Sequence, residues 1–181
     1  FVFNQDLSSW DVSNVTNMHG LFSSCIAFTS DLSGWDVSSV ADMSVLFGNC
    51  ANFTSDLSSW DVSNVVGMHR IFQGASIFYS DLSNWDVSSV TDMSLAFSGT
   101  NFNFDLSTWD VSNVRQFYEM FYGSQFDSDL SNWNVSSAEN MAYMFEGTPF
   151  NQDISSWDVA NVTNMNNMFK IAQNFNQDLS G

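Results

Sequence analysis

The chain has 181 residues, 44% of them hydrophobic, which is enough for a folded core and excludes a disordered acidic tail. Its net charge is −17, because 20 acidic residues are balanced by only Arg70, Arg115 and Lys170. Such a charge repels nucleic acid and anionic membranes, and no apolar segment is long enough to cross a bilayer. We therefore expect neither a nucleic-acid partner nor insertion into a membrane.

A repeat organises the whole chain. Its seven tryptophans are separated by 25, 25, 25, 24, 24 and 24 residues: Trp10, Trp35, Trp60, Trp85, Trp109, Trp133 and Trp157. Methionine and phenylalanine follow at fixed distances, as Met18 and Phe22 follow Trp10. The periodicity predicts a single domain over 1–181, made of about seven repeats of 24–25 residues. The pattern is already in mid-unit at Phe1, which predicts a fragment of a longer array without end caps.

Within a repeat, the apolar period predicts first a strand and then a helix. Trp10 and Val12 alternate with polar residues, which is typical of a strand with one buried face. Val15, Met18 and Phe22 are then spaced three or four apart, as on one face of a short helix or helical turn. A β-helix would need two-residue alternation in this second half as well, and that alternation is missing. The prediction is an α/β repeat solenoid, leucine-rich-repeat-like, with a parallel sheet on one side and short helices or helical turns on the other.

The residues also carry a family resemblance. The segment "FNQDLSSWDVSNVTNM", followed by "LF", resembles the repeat of unknown function that fills surface lipoproteins of mycoplasmas and other microbes. That repeat is usually grouped with the BspA-like leucine-rich repeats, and the match covers every unit. "LSSWDV" at Leu7–Val12 places Trp10 and Val12 in apolar slots of the leucine-rich-repeat pattern, whereas Val15 stands near the slot of its usual asparagine. The resemblance implies an extracellular or cell-surface protein for adhesion or recognition, and it brings no catalytic residue.

One row of carboxylates is the candidate site for a ligand or a cation. Six aspartates directly follow a tryptophan: Asp11, Asp36, Asp61, Asp86, Asp110 and Asp158. On strands about 4.8 Å apart these carboxylates would repel one another, and Ca²⁺ or a basic ligand would relieve the repulsion. The alternative is a solubilising row that also discourages aggregation.

Two further features have structural interpretations. A second aspartate row, beginning with Asp6, has serine two residues later in every copy, which favours capping of a turn over metal ligation. Cys25 and Cys50 occupy equivalent positions in adjacent units, so a disulfide is geometrically allowed. Other units place alanine, serine or threonine in that slot, which favours free buried thiols.

The leading functional hypothesis is a non-catalytic surface or secreted module that recognises a host or cell-surface protein or glycan through the exposed sheet face. The alternative is a calcium-bridged structural or assembly protein that uses the aspartate row. An ice- or mineral-surface binder is a third hypothesis. An enzyme is least expected, because no nucleophile–base pair or ligand cluster stands outside the repeat pattern. We expect no cofactor besides Ca²⁺, and uncapped ends predict end-to-end self-association.

Overall fold

The computed structural model describes residues 2–180, and in that range it contains no helix and no extended strand. The chain is a succession of turns joined by short extended links. Its β-structure is limited to isolated parallel bridges: Asn17–Asp42, Asp42–Gly67, Gly67–Asp92, Asp92–Gln116, Gln116–Asn140 and Asn140–Asn164. The predicted α/β leucine-rich-repeat-like architecture, with a sheet and helices, is therefore wrong. None of these residues forms a helix of the length and apolarity that would span a bilayer.

Successive units stack as coils, and backbone hydrogen bonds join each coil to the next. The N–H groups of Met18, Gly20, Phe22 and Ser24 each donate to a carbonyl 24 residues later, over 2.7–3.0 Å. The acceptors are the carbonyl oxygens of Asp42, Ser44, Leu46 and Gly48. Equivalent bonds recur up to the bond from Gly147 N–H to the Lys170 carbonyl. The coil–coil ladder thus lies in the segment for which the sequence predicted a helix.

That segment is not helical because its remaining N–H groups close turns. Leu21, Ser23 and Cys25 donate to the carbonyl three residues earlier, not four, over 2.9–3.1 Å. Gly20 and Ser24, each the third residue of its turn, have φ values of +65° and +62°, which a right-handed helix excludes. A positive φ at that position is typical of a type II turn. Consecutive turns therefore generate the three- and four-residue apolar spacing that resembles a helix.

The predicted strand around each tryptophan is replaced by two turns. Trp10 N–H donates to the Leu7 carbonyl over 3.0 Å, and Val15 N–H donates to the Val12 carbonyl over 2.8 Å. In the described part of the chain, no backbone bond joins the tryptophan segments of neighbouring coils. The indole does so instead, since Trp35 Nε1 donates to the Leu7 carbonyl of the preceding coil over 3.1 Å. Each later tryptophan makes the equivalent bond.

Phenylalanine columns run through the core. Phe22 packs on Phe28 of its own coil at 4.2 Å between ring centroids and on Phe47 of the next coil at 5.7 Å. Both columns are buried along the interior of the stack. At the two ends, side chains of the core columns are open to solvent: Trp10 is 56% exposed and Met165 is 41% exposed. The core is therefore shared between coils, and no single coil contains its own.

Candidate functional site

The six candidate aspartates are all exposed, and Oδ1 of each carboxylate accepts a hydrogen bond within its own turn. Asp11 Oδ1 accepts the N–H of Ser13 over 3.1 Å and its hydroxyl over 2.7 Å. The equivalent N–H bonds, of 3.0–3.1 Å, are formed by the rest of the row: Asp36, Asp61, Asp86, Asp110 and Asp158. The row therefore lies at a turn of the coil and not on a sheet face.

At four members of the row those local bonds are the largest influence on the carboxyl pKa: Asp11, Asp36, Asp86 and Asp110. The Ser13 hydroxyl and N–H hold the pKa of Asp11 below its ordinary value. The bonds from Ser38 likewise lower the pKa of Asp36, while repulsion from the Asp11 carboxylate opposes them as the smallest influence. Among residues 2–180, no three His, Cys, Asp or Glu side chains are grouped closely enough to hold a metal ion.

The second aspartate row caps turns, as predicted from the sequence. Asp6 Oδ1 accepts the N–H of Ser8 over 2.9 Å, and the other seven copies form the same bond. A third site of this kind was missed: Asn17 and Asp42 each accept the N–H two residues later, over 2.8 and 2.9 Å. The coils thus use Asp or Asn at three corners, where a short acceptor side chain can satisfy a turn N–H.

A different column breaks the regularity of the repeat. Ten residues after each tryptophan, the backbone is left-handed, and only the first coil has glycine there, Gly20. The later coils place side chains of unrelated chemistry at this position: Val45, Arg70, Leu95, Glu119, Tyr143 and Asn167. We call these six residues the left-handed column. A non-glycine residue in this conformation costs about 1–2 kcal/mol, so each of these side chains is kept at the expense of stability.

Near this column, coils five to seven bring together aromatic and charged side chains. Tyr118 and Tyr143 pack edge to face, with ring centroids 5.8 Å apart. The neighbouring Glu119 carboxylate raises the pKa of the Tyr118 hydroxyl to about 12. Tyr122, Glu146 and Lys170 occupy one position in three consecutive coils. We call this cluster the tyrosine–glutamate patch: Tyr118, Glu119, Tyr122, Tyr143, Glu146 and Lys170.

Glu146 is the most unusual member of the patch, because its side chain is only 7% exposed. Its Oε1 pairs with Lys170 Nζ over 2.9 Å, whereas its Oε2 is buried without a hydrogen-bond partner. The pairing raises the pKa of Lys170, and Tyr122 and Tyr143 act in the same direction more weakly. This patch was not predicted from the sequence. The signal that could have found it is composition, because three of the four tyrosines and all three glutamates of the chain lie in coils five and six.

The two cysteines are free thiols, as the sequence analysis favoured. Cys50 is buried, and its Sγ donates to the Phe22 carbonyl of the preceding coil over 2.8 Å. Burial raises the pKa of the Cys50 thiol to about 12. The protonated thiol therefore serves as a small core residue.

Comparison with known families gives one match, to the family described as Mycoplasma protein of unknown function, DUF285. The matched segments overlap and together extend along the whole chain: residues 1–84, 47–149 and 95–181. No curated protein and no solved structure shows a significant match to the chain. The match supports the mycoplasma-type repeat and does not extend to the BspA-like grouping.

Proposed function

The chain belongs to the DUF285 family of mycoplasma proteins of unknown function, and from that premise we propose that it is a non-catalytic recognition module at the cell surface or outside the cell. Its partners would be host or cell-surface proteins or glycans. The grouping with BspA-like adhesion proteins agrees with this proposal through sequence resemblance alone. The recognition face proposed is the left-handed column apart from Leu95, which is only 5% exposed, because residues 2–180 form no sheet face.

The observation that carries the proposal is the retention of side chains at strained positions. Gly20 demonstrates that glycine is accommodated at this position of the coil. Arg70 and Asn167 are exposed there, and Glu119 and Tyr143 are partly exposed. Strained backbone is concentrated at functional sites in proteins, where a side chain must be presented in one orientation. A row of such side chains, different in every coil, is suited to contact a partner at several points.

The test compares two sets of substitutions on one stack. A triple variant, Arg70→Gly, Glu119→Gly and Tyr143→Gly, should lose binding to partners found on protein and glycan arrays, without a decrease in melting temperature. Asp36→Asn, Asp61→Asn and Asp86→Asn, combined, serve as the control, and they should leave binding unchanged. Loss of binding in the aspartate variant alone would move the recognition face to the carboxylate row. Absence of any partner for the unmodified chain on both arrays would overturn the proposal.

The calcium-bridged assembly is the alternative function, and one observation favours it. Bonds from the Ser88 hydroxyl and N–H lower the pKa of Asp86, and repulsion between the Asp86 and Asp110 carboxylates opposes this lowering as the smallest influence. A divalent cation would relieve this repulsion. Melting with and without Ca²⁺ decides the question, since a large stabilisation by Ca²⁺ supports the bridge and an unchanged melting temperature excludes it.

A further inference from the structure

We propose that the tyrosine–glutamate patch binds a basic segment of a partner protein, with Glu146 as the anchor for an arginine or lysine side chain. This inference rests on the proposed recognition function and specifies the chemistry of the partner. It concerns coils five and six, in which this face carries tyrosine and glutamate, and Lys170 of coil seven. Three of the four tyrosines of the chain and two of its three glutamates lie in the patch.

The first argument is the incomplete pairing of a buried charge. A carboxylate has two oxygens that accept hydrogen bonds, and leaving one unpaired away from water is costly. Glu146 Oε2 has no partner within the described chain, although the side chain is 7% exposed. The carboxylate therefore has an unused acceptor, which a cationic donor that displaces Lys170 would satisfy together with Oε1. A guanidinium suits it best, because a planar fork can contact a carboxylate and a neighbouring acceptor together.

The second argument is that the patch already holds an ammonium group. Lys170 Nζ lies 2.9 Å from Glu146 Oε1, yet the Lys170 side chain is 51% exposed. It reaches the carboxylate from the last complete coil, one coil beyond Glu146. Lys170 therefore shows which ligand chemistry this position accepts. Because its side chain is half exposed, Lys170 can also be displaced by a competing cation.

The third argument is the aromatic and electrostatic surroundings. Tyr122 is 40% exposed beside this ion pair, and its phenol contributes to the raised pKa of Lys170. Faces of tyrosine rings attract arginine and lysine side chains. The net charge of −17 adds a long-range attraction for basic partners. Aromatic rings, a buried carboxylate and a negative field together favour a basic protein segment over an acidic or neutral partner.

The test measures binding of a hexa-arginine peptide by calorimetry at about 0.15 M salt, where long-range attraction is screened. Glu146→Gln should weaken binding roughly tenfold, because a charge-assisted bond is lost. The matched control is Glu139→Gln, which removes the same charge from the exposed pair with Arg115, at 3.4 Å, and should leave affinity within about twofold. Lys170→Met should strengthen binding, because the competing ammonium is gone.

Equal weakening by Glu146→Gln and Glu139→Gln would overturn the inference, since net charge alone would then explain binding. Weaker binding by Lys170→Met would also overturn it. If Glu146→Gln fails to fold, Tyr122→Leu and Tyr122→Phe provide a second test of the inference. Leucine should weaken binding about two- to fivefold and phenylalanine should not, because attraction to a cation needs the ring and not the hydroxyl. The arrays could instead identify acidic or uncharged partners while the hexa-arginine peptide does not bind. That result would overturn this inference and leave the proposed recognition function supported.

Discussion

The long coils and the short coils close the same turn with different atoms. In a long coil, the N–H of the next phenylalanine donates to a backbone carbonyl three residues earlier, as from Phe78 to Ala75 over 3.1 Å. In a short coil one residue is missing, and a side-chain hydroxyl becomes the acceptor, as from Phe102 N–H to Thr100 Oγ1 over 3.3 Å. A side-chain hydroxyl can thus replace a peptide carbonyl as the hydrogen-bond acceptor where the chain is one residue too short to form the turn.

Every coil follows this division. Long coils have Cys25, Cys50, Ala75 or Ala172 at the closing position, and short coils have Thr100, Ser124 or Thr148. A left-handed glycine precedes the closing residue in all three short coils, at Gly99, Gly123 and Gly147, and in one long coil, at Gly74. The comparison shows that coil length and side-chain chemistry change together, because both must satisfy one buried N–H.

The largest expected effect comes from shortening a long coil. Deleting Ile77, which is 47% exposed, removes the turn from Ala75 to Phe78 and leaves a buried N–H without an acceptor. We expect a loss of about 3 kcal/mol in the free energy of unfolding, measured by urea denaturation. Adding Ala75→Thr should restore about 1–2 kcal/mol, whereas Ala75→Val has the same shape without the hydroxyl and should restore nothing. Equal recovery of stability with Ala75→Thr and Ala75→Val would show that the hydroxyl is not the acceptor that replaces the lost carbonyl.

The reverse experiment removes the hydroxyl from a short coil. Thr100→Val keeps the shape but deprives Phe102 N–H of its acceptor and the Phe97 carbonyl of a donor. The expected destabilisation is about 2 kcal/mol, measured by urea denaturation. Thr91→Val is the control, because Thr91 is exposed, and it should change stability by less than about 0.5 kcal/mol. A similar loss in both variants would show that the hydroxyl has no special role.

A reciprocal pair of substitutions tests the left-handed glycine. Gly123 and Ile171 occupy the same position of their coils, with φ of +62° and +60°. Gly123→Ala should cost about 1 kcal/mol even though open space surrounds the site. Ile171→Gly should stabilise by a similar amount, because a β-branched residue is strained there. Thermal melting measures both effects. A change of melting temperature in the same direction for both variants would show that a side chain is not strained at this position.

The smallest expected effect concerns acid, and it should be the same in long and short coils. Turn bonds from Ser8 and Ser107 lower the pKa of Asp6, in a long coil, and of Asp105, in a short coil, from the ordinary value of 3.8. A lowered folded-state pKa gives stability that is complete above that ordinary value and is lost as the pH falls through the folded-state pKa. Asp6→Asn and Asp105→Asn should each reduce the fall in melting temperature between about pH 4 and pH 2 by the same small amount. Unequal slopes would show that coil length alters this corner.

The sequence predicted the repeat, its core columns and the capping role of Asp6, because these follow from periodicity and from short acceptor side chains. The secondary structure predicted from the sequence was wrong for a physical reason. Apolar spacing of three and four residues arises from a helix and equally from consecutive turns, and only the backbone φ at positions such as Gly20 and Ser24 distinguishes them. Recognition of threonine or serine in every 24-residue coil would have located the closing turn.

The candidate site was harder to predict. The regular aspartate row drew attention because it repeats, whereas the patch around Glu146 is visible only as a departure from the repeat. Glu146 is buried and pairs with Lys170 of the next coil, whereas its Oε2 has no partner in the described chain. Such contacts are set by the three-dimensional stacking of coils and have no local sequence signature.

The coil–coil ladder has a consequence for how such a gene can change. Its bonds use backbone atoms, as from Phe22 N–H to the Leu46 carbonyl, and so they make little demand on the outward side chains. Recombination that inserts or removes one whole unit would recreate the same junction from the same atoms. Array length and the order of surface residues can then vary by exchange of whole units, while the phenylalanine columns of the core stay in register.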